Sequence, residues 1–183
     1  AAAVPMSGLT AWQFLIELGH NEQNPLQSER HSPVPLAGKS VMINGAAGGV
    51  GHLALQLAKH EGARVIAVAS TRHEAFLREL GADEFIDYTQ TKPEDDVRDV
   101  DLVVIPGGSI SGDYPVEILD TIRAVVDNGG RVLTVCSGAF VAGAAGLLDG
   151  RRCRPDRLHR CGDRVVLGPA VDAGADEREG DRA

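Results

Sequence analysis

Residues Val41-Met42-Ile43-Asn44 form an apolar run that enters Gly45-Ala46-Ala47-Gly48-Gly49-Val50-Gly51 and continues directly as His52-Leu53-Ala54-Leu55-Gln56-Leu57-Ala58. An apolar strand, a turn of small residues and a helix with an apolar stripe, joined without a spacer, leave few folds open. Small residues let the backbone reverse tightly and come close to a ligand. The first N–H groups of the helix have no partner within it and point back at the turn. Together with the helix dipole they make an anion site, the arrangement by which α/β proteins hold the diphosphate of a dinucleotide. A strand-to-helix turn that carries no ligand would use similar residues. The placement of this one, after a strand and at the opening of a helix, favours the dinucleotide. Ala46, Ala47, Gly48, Gly49, Val50 and Gly51 are therefore the candidate diphosphate residues. Gly48, Gly49 and Val50 would offer N–H groups, and Gly51 would allow close helix–sheet packing.

The rest of the chain extends the same pattern. Ser7 to Leu18 reads as a helix capped by Ser7, with Leu9, Trp12, Leu15 and Ile16 on its apolar face. His20 to Ala37, with three prolines, reads as a linker. Strands are expected at Lys39–Asn44, Arg64–Ala69, Glu84–Asp87, Leu102–Ile105 and Arg131–Val135. Helices are expected at Gly48–His60, Thr71–Leu80, Pro115–Asp127 and Gly138–Leu148. Residues 90–100 read as a charged loop. Runs such as Val65-Ile66-Ala67-Val68 lack polar alternation, which suits parallel strands covered on both faces. Alternating strands and helices imply an α/β fold, a doubly wound, Rossmann-like parallel sheet of about five strands. The expected division is 1–38 as helix and linker, 39–150 as the dinucleotide-binding domain and 151–183 as a poorly ordered tail. Val165-Val166-Leu167 in that tail could add one strand.

Composition narrows the function. The chain has 183 residues and a net charge of -8, which argues against a general nucleic-acid binder. Its hydrophobic fraction of 43% supports a core, but only 4% is aromatic, so Ala, Val, Leu and Ile must build it. No apolar run approaches the length of a membrane span. Cys136, Cys153 and Cys161 form no Cys-x-x-Cys pair, which suggests reduced thiols and a cytoplasmic protein. The opening Ala1-Ala2-Ala3-Val4-Pro5 reads as the middle of a longer protein rather than a signal peptide.

Three stretches carry a resemblance: Ser7-Gly8-Leu9-Thr10-Ala11-Trp12, then Asn44 to Gly51, then Leu80-Gly81-Ala82-Asp83-Glu84-Phe85-Ile86-Asp87-Tyr88. In order and spacing, roughly Ala1 to Val104 resembles the zinc-independent, quinone-oxidoreductase-like branch of the medium-chain dehydrogenase/reductase superfamily. The resemblance implies the end of a catalytic domain followed by the first half of a cofactor domain. From about Leu102 to Arg152 the text changes to Ile105-Pro106-Gly107-Gly108, Arg131 to Phe140 and Ala144 to Arg152. This part is similar to the ThiJ/PfpI-like domain of AraC-type regulators. The join reads as a fusion, a recombinant or a shifted reading frame.

The residues also bear on the cofactor. An NAD site wants a carboxylate at the end of the second strand, to accept from the ribose hydroxyls. Here that strand ends Ala69-Ser70-Thr71-Arg72-His73. Ser70 and Thr71 can donate to a phosphate and Arg72 can pair with it, so NADP(H) is favoured over NAD(H). Tyr88 matches a tyrosine that flanks this phosphate in the resembled family. The expected function is hydride transfer between NADP(H) and a small carbonyl or quinone, with no general acid nominated. The partners would be that small-molecule substrate, without nucleic acid or membrane, and a homodimer is compatible with this reading. Cys136 sits between a strand and a helix, the nucleophile-elbow position, and is a weak candidate thiol. A non-enzymatic ligand-sensing domain and a Cys136-dependent activity are the alternatives. Cys153, His159 and Cys161 fit no common zinc spacing, so no metal is expected. His52 and His60 are expected on the solvent side of their helix.

Overall fold

The computed structural model describes residues 4–17, 35–90, 97, 99–108, 113–149 and 164–167. Helix α1 is Val4–Trp12 and passes into a π-helical turn, Gln13–Glu17. Then follow β1 (Ser40–Asn44), α2 (Gly51–His60), β2 (Arg64–Ala69), a 3-10 turn at Thr71–His73, α3 (Glu74–Glu79) and β3 (Glu84–Asp87). The chain continues as β4 (Leu102–Ile105), α4 (Val116–Asp127), β5 (Arg131–Val135), α5 (Gly138–Ala144) and β6 (Arg164–Leu167).

The sheet order is β3-β2-β1-β4-β5-β6. The pairings among β1 to β5 are parallel, and β6 adds antiparallel to β5, with Leu133 opposite Val166. The expected five-stranded parallel core is present, and the Val165 run supplies the extra strand. The winding reverses between β1 and β4, so the carboxyl ends of these two strands diverge into a crevice.

Alternation along the strands sorts the core into two layers, because successive side chains point to opposite faces. Val41, Ile43, Val65 and Ala67 face α2 and α3, meeting Ala54, Leu55, Ala58 and Leu77. Met42, Ile66, Val103 and Val132 face α4 and α5, meeting Ile122, Val125 and Ala142. Neither layer is bulky, as a low aromatic content requires. Leu55 is fully buried. Truncating such a residue to Ala costs about 2–5 kcal/mol.

The first helix departs from expectation. It begins at Val4, so Ser7 lies inside it rather than capping it. The π-turn at Gln13–Glu17 widens the spiral and shifts the side chains that follow. Ala11, Leu15 and Ile16 are buried, while Leu9 and Trp12 are 63% and 43% exposed. The expected helix at Thr71 opens as a 3-10 turn, and the one at Gly138 ends at Ala144. The expected loop at 90–100 is described only in part, and most of the linker and tail lies outside the described residues.

Candidate functional site

The diphosphate turn starts where β1 stops. Gly45 takes a φ of 65°, the left-handed conformation that a side chain disfavours. Gly48 N–H closes the turn on Gly45 O at 2.9 Å, and Ala46 N–H reaches across to Val68 O at 3.1 Å. A Cβ on Gly51 would lie 2.3 Å from Gly45 O, so only glycine lets α2 pack this close to β1. No side chain caps α2 at Val50. Of the N–H groups at its start, that of His52 is taken by Gly48 O, and those of Gly49, Val50 and Gly51 are left for an anion or water.

His52 fixes the orientation of this turn. The Gly48 carbonyl accepts from His52 N–H at 3.1 Å and lies 2.7 Å from His52 Nδ1. A carbonyl can only accept, so Nδ1 carries the proton. In a planar trans peptide the N–H points opposite to its carbonyl. Pinning Gly48 O toward the helix therefore turns Gly49 N–H away from it. The His52 ring is half-buried, with its centroid 6.2 Å from that of Phe76. His60 is exposed as expected, while His52 is partly covered, because Gly48 O at the i−4 position falls within reach of its imidazole.

A cavity of about 460 Å³ lies over the carboxyl ends of β1 and β4. That size suits a small-molecule or cofactor site, typically about 300–1,000 Å³. Its floor is Asn44, Gly45 and the turn at Ala47, Gly48, Gly49, Val50 and Gly51. On the β2 side it is lined by Ser70, Arg72 and Tyr88. On the β4 side the lining is mostly apolar and includes Ile105, Tyr114, Ile118 and Val141. No sequence signal singled out Ile118 or Val141, because α4 and α5 look like ordinary amphipathic helices, and Tyr114 lies in the segment before α4 with no motif around it.

Two of the expected contacts lie elsewhere. Ala46 is fully buried, with its N–H committed to β2, and it does not line the cavity. Thr71 does not line it either, because its hydroxyl donates to Asp87 Oδ2. Arg72 does reach the cavity, and its Nε donates to the His73 ring at 2.9 Å. None of the ion pairs among the described residues involves Arg72.

Asp87 is buried and holds three donors: the Thr71 hydroxyl, the Thr89 hydroxyl at 2.7 Å and Thr89 N–H at 2.8 Å. These hydrogen bonds, that from Thr71 foremost, hold its carboxyl down at about 2, below the ordinary carboxylate value. Asp83 is also held low. Burial acts to raise it, but the hydrogen bonds from Lys59 and Val65 N–H outweigh that effect.

Cys136 is exposed and takes a φ of 55°. It follows β5 directly, beside Gly107, where a Cβ would lie 3.5 Å from its Sγ. Among the described residues, no three His, Cys, Asp or Glu side chains gather to hold a metal. Cys153, His159 and Cys161 lie outside those residues. No helix among them is long and apolar enough to cross a membrane.

Residues 49–139 match the family described as zinc-binding dehydrogenase. The match runs past Val104, through β4, α4 and β5. A mitochondrial NAD(P)H oxidoreductase of Danio rerio is 32% identical over 124 residues, covering 67% of this chain and 29% of the relative. A chloroplastic NADPH-dependent alkenal/one oxidoreductase of Arabidopsis thaliana is 39% identical over 101 residues, covering 54% of this chain and 24% of the relative. Among solved structures, the quinone oxidoreductase from Coxiella burnetii is 25% identical with a TM-score of 0.50, covering 91% of this chain and 59% of that one. The chain thus spans less than a third of these two curated relatives. These likenesses, with the sheet order and the glycine turn, support a medium-chain dehydrogenase/reductase.

Proposed function

We propose that the chain is the cofactor-binding part of an NADP(H)-dependent oxidoreductase of the quinone and alkenal reductase type, acting on a small carbonyl or quinone. The observation that carries this reading is the uncapped start of α2, with Gly48, Gly49 and Val50 before it lining the cavity over β1 and β4. The turn at Gly48, Gly49 and Val50 would take the diphosphate. Ser70, Arg72 and Tyr88 would take the adenosine side, with Arg72 supplying a fork for the 2′-phosphate. The apolar lining by Ile105, Ile118 and Val141 would exclude water from the nicotinamide side. The cofactor, when bound, supplies the hydride, and these residues bind and orient it. No step is assigned to zinc. A cytoplasmic location belongs to this proposal and rests on the cysteine pattern alone.

The test is nucleotide titration of the chain and its Arg72→Ala variant, followed by NAD(P)H fluorescence. A charge-assisted hydrogen bond is worth about 1.5–3 kcal/mol. The variant should therefore lose NADPH affinity by about tenfold or more, with NADH nearly unchanged. Equal loss of both would refute the phosphate assignment.

A second reading rests on Cys136. A non-glycine residue at a φ of 55° between strand and helix has the backbone form of a nucleophile elbow. Gly138 allows the same tight turn, since its Cβ would meet Ile105 O at 2.2 Å. That geometry favours a thiol-dependent activity; a ligand-sensing domain like those of the ThiJ/PfpI-like regulators is the other alternative. Alkylation of Cys136 by iodoacetamide at neutral pH, faster than that of a free thiol, supports it. A rate no faster than that of a free thiol removes it.

A further inference from the structure

The cavity's adenosine side is built on alternate residues of two short segments. Ser70, Arg72 and Tyr88 line the cavity. Thr71, Asp87 and Thr89, which stand between and beside them in sequence, do not line it and bond to one another. Asp87 lies beside Ala69 in the β2–β3 register, so its carboxylate sits where β2 gives way to the 3-10 turn. Its Oδ2 accepts from Thr71, and its Oδ1 accepts from the Thr89 hydroxyl and N–H. Gln90 Nε2 then donates to Thr71 Oγ1 at 2.9 Å. The Thr71 hydroxyl donates its one O–H to Asp87 and accepts from Gln90 on one of its two lone pairs.

This arrangement does two things at once. It ties the turn that carries Ser70 and Arg72 to the strand end that carries Tyr88. It also engages both oxygens of Asp87, a carboxylate beside the end of β2, the place from which an acid would otherwise accept the ribose hydroxyls of NAD.

We propose that Thr71 and Asp87 form a latch that sets cofactor choice: they are positioning residues that hold Ser70, Arg72 and Tyr88 around a 2′-phosphate and keep Asp87 from serving the ribose. The inference rests on the NADP(H) reading above and deepens it. Without the latch, the turn samples other conformations and the phosphate contacts must be ordered on binding. Affinity for NADPH then falls while NADH, which lacks the phosphate, is little affected.

The test compares Thr71→Val, which keeps the shape and removes the hydroxyl, with Thr71→Ser, which keeps the hydroxyl. Dissociation constants for NADPH and NADH are measured on the full chain by fluorescence, with melting temperature recorded beside them. For a hydrogen bond of ordinary strength, Thr71→Val should weaken NADPH by about three- to tenfold, with NADH within about twofold and Thr71→Ser restoring the original ratio. A fall in melting temperature with the NADPH-to-NADH ratio intact overturns the latch, as does equal loss of both nucleotides. If Thr71→Val does not fold, Gln90→Leu carries the test, because it removes only the outer donor from an exposed site. It should lower the ratio by about twofold, and an unchanged ratio overturns the proposal. Arg72→Ala separates the two levels. If it lowers the ratio and Thr71→Val does not, the latch alone fails. If neither changes the ratio, the NADP(H) reading itself fails.

Discussion

Gly49 and Gly51 lie two residues apart in the turn and should answer an added methyl in opposite ways. At Gly51 a Cβ would stand 2.3 Å from Gly45 O, 2.9 Å from Ala46 Cα and 3.1 Å from Ala46 C. All three are backbone atoms, so no flexible side chain can yield. Forcing a methyl into such a contact costs about 1–3 kcal/mol. For a chain of this size that lowers the melting temperature by about 2–12 °C. At Gly49 the nearest atom to a Cβ is Ser7 Oγ at 3.6 Å, an ordinary van der Waals contact. Gly49→Ala is therefore expected to melt within about 2 °C of the parent, helped by the lower entropy of its unfolded chain. Gly49 lines the cavity, so a methyl there would crowd a diphosphate held on this turn. NADPH and NADH should both weaken by about tenfold or more, a loss of about 1.4 kcal/mol. Differential scanning fluorimetry reads the first quantity and nucleotide fluorescence titration the second. If Gly49→Ala binds nucleotide like the parent, the diphosphate does not lie on this turn. If Gly51→Ala melts like the parent, the packing argument is wrong.

Two other outcomes follow from the same geometry. His52→Ala frees the Gly48 carbonyl from its 2.7 Å contact, so NADPH and NADH affinity should fall together by about two- to fivefold; titration showing no change would remove the imidazole from the site. Asp87 is held at about 2 in the folded chain against an ordinary 3.8, so its contribution to stability is full above about pH 4 and lost as pH falls toward 2. Asp87→Asn should therefore flatten the decline in melting temperature between pH 4 and pH 2, and a parallel decline in both proteins would contradict the assignment.

The sheet was legible because its signals are local. Val65 to Val68 and Leu102 to Ile105 are unbroken apolar runs, and such runs go to strands buried on both faces. The glycine turn was legible for the same reason: Gly48 and Gly51 have spacings that only close backbone packing explains. Helix α1 was misjudged because a π-turn changes the residue spacing without any change in hydrophobic pattern. Thr71 was assigned to the phosphate on its type and neighbours. Its true partner, Asp87, is sixteen positions away and is brought alongside only by the β2–β3 pairing. Ile118 and Val141 were missed for a related reason. A helix residue that lines a cavity and one that fills a core obey the same periodicity, and the sheet winding alone separates them.

Amide signals followed by nuclear magnetic resonance during NADPH titration address the diphosphate site without any substitution. The resonances of Gly48, Gly49 and Val50 should move together with those of Ser70, Arg72 and Tyr88, and saturate at one dissociation constant. Signals of Gly48 to Val50 that stay in place at saturating NADPH would show that the start of α2 holds no nucleotide.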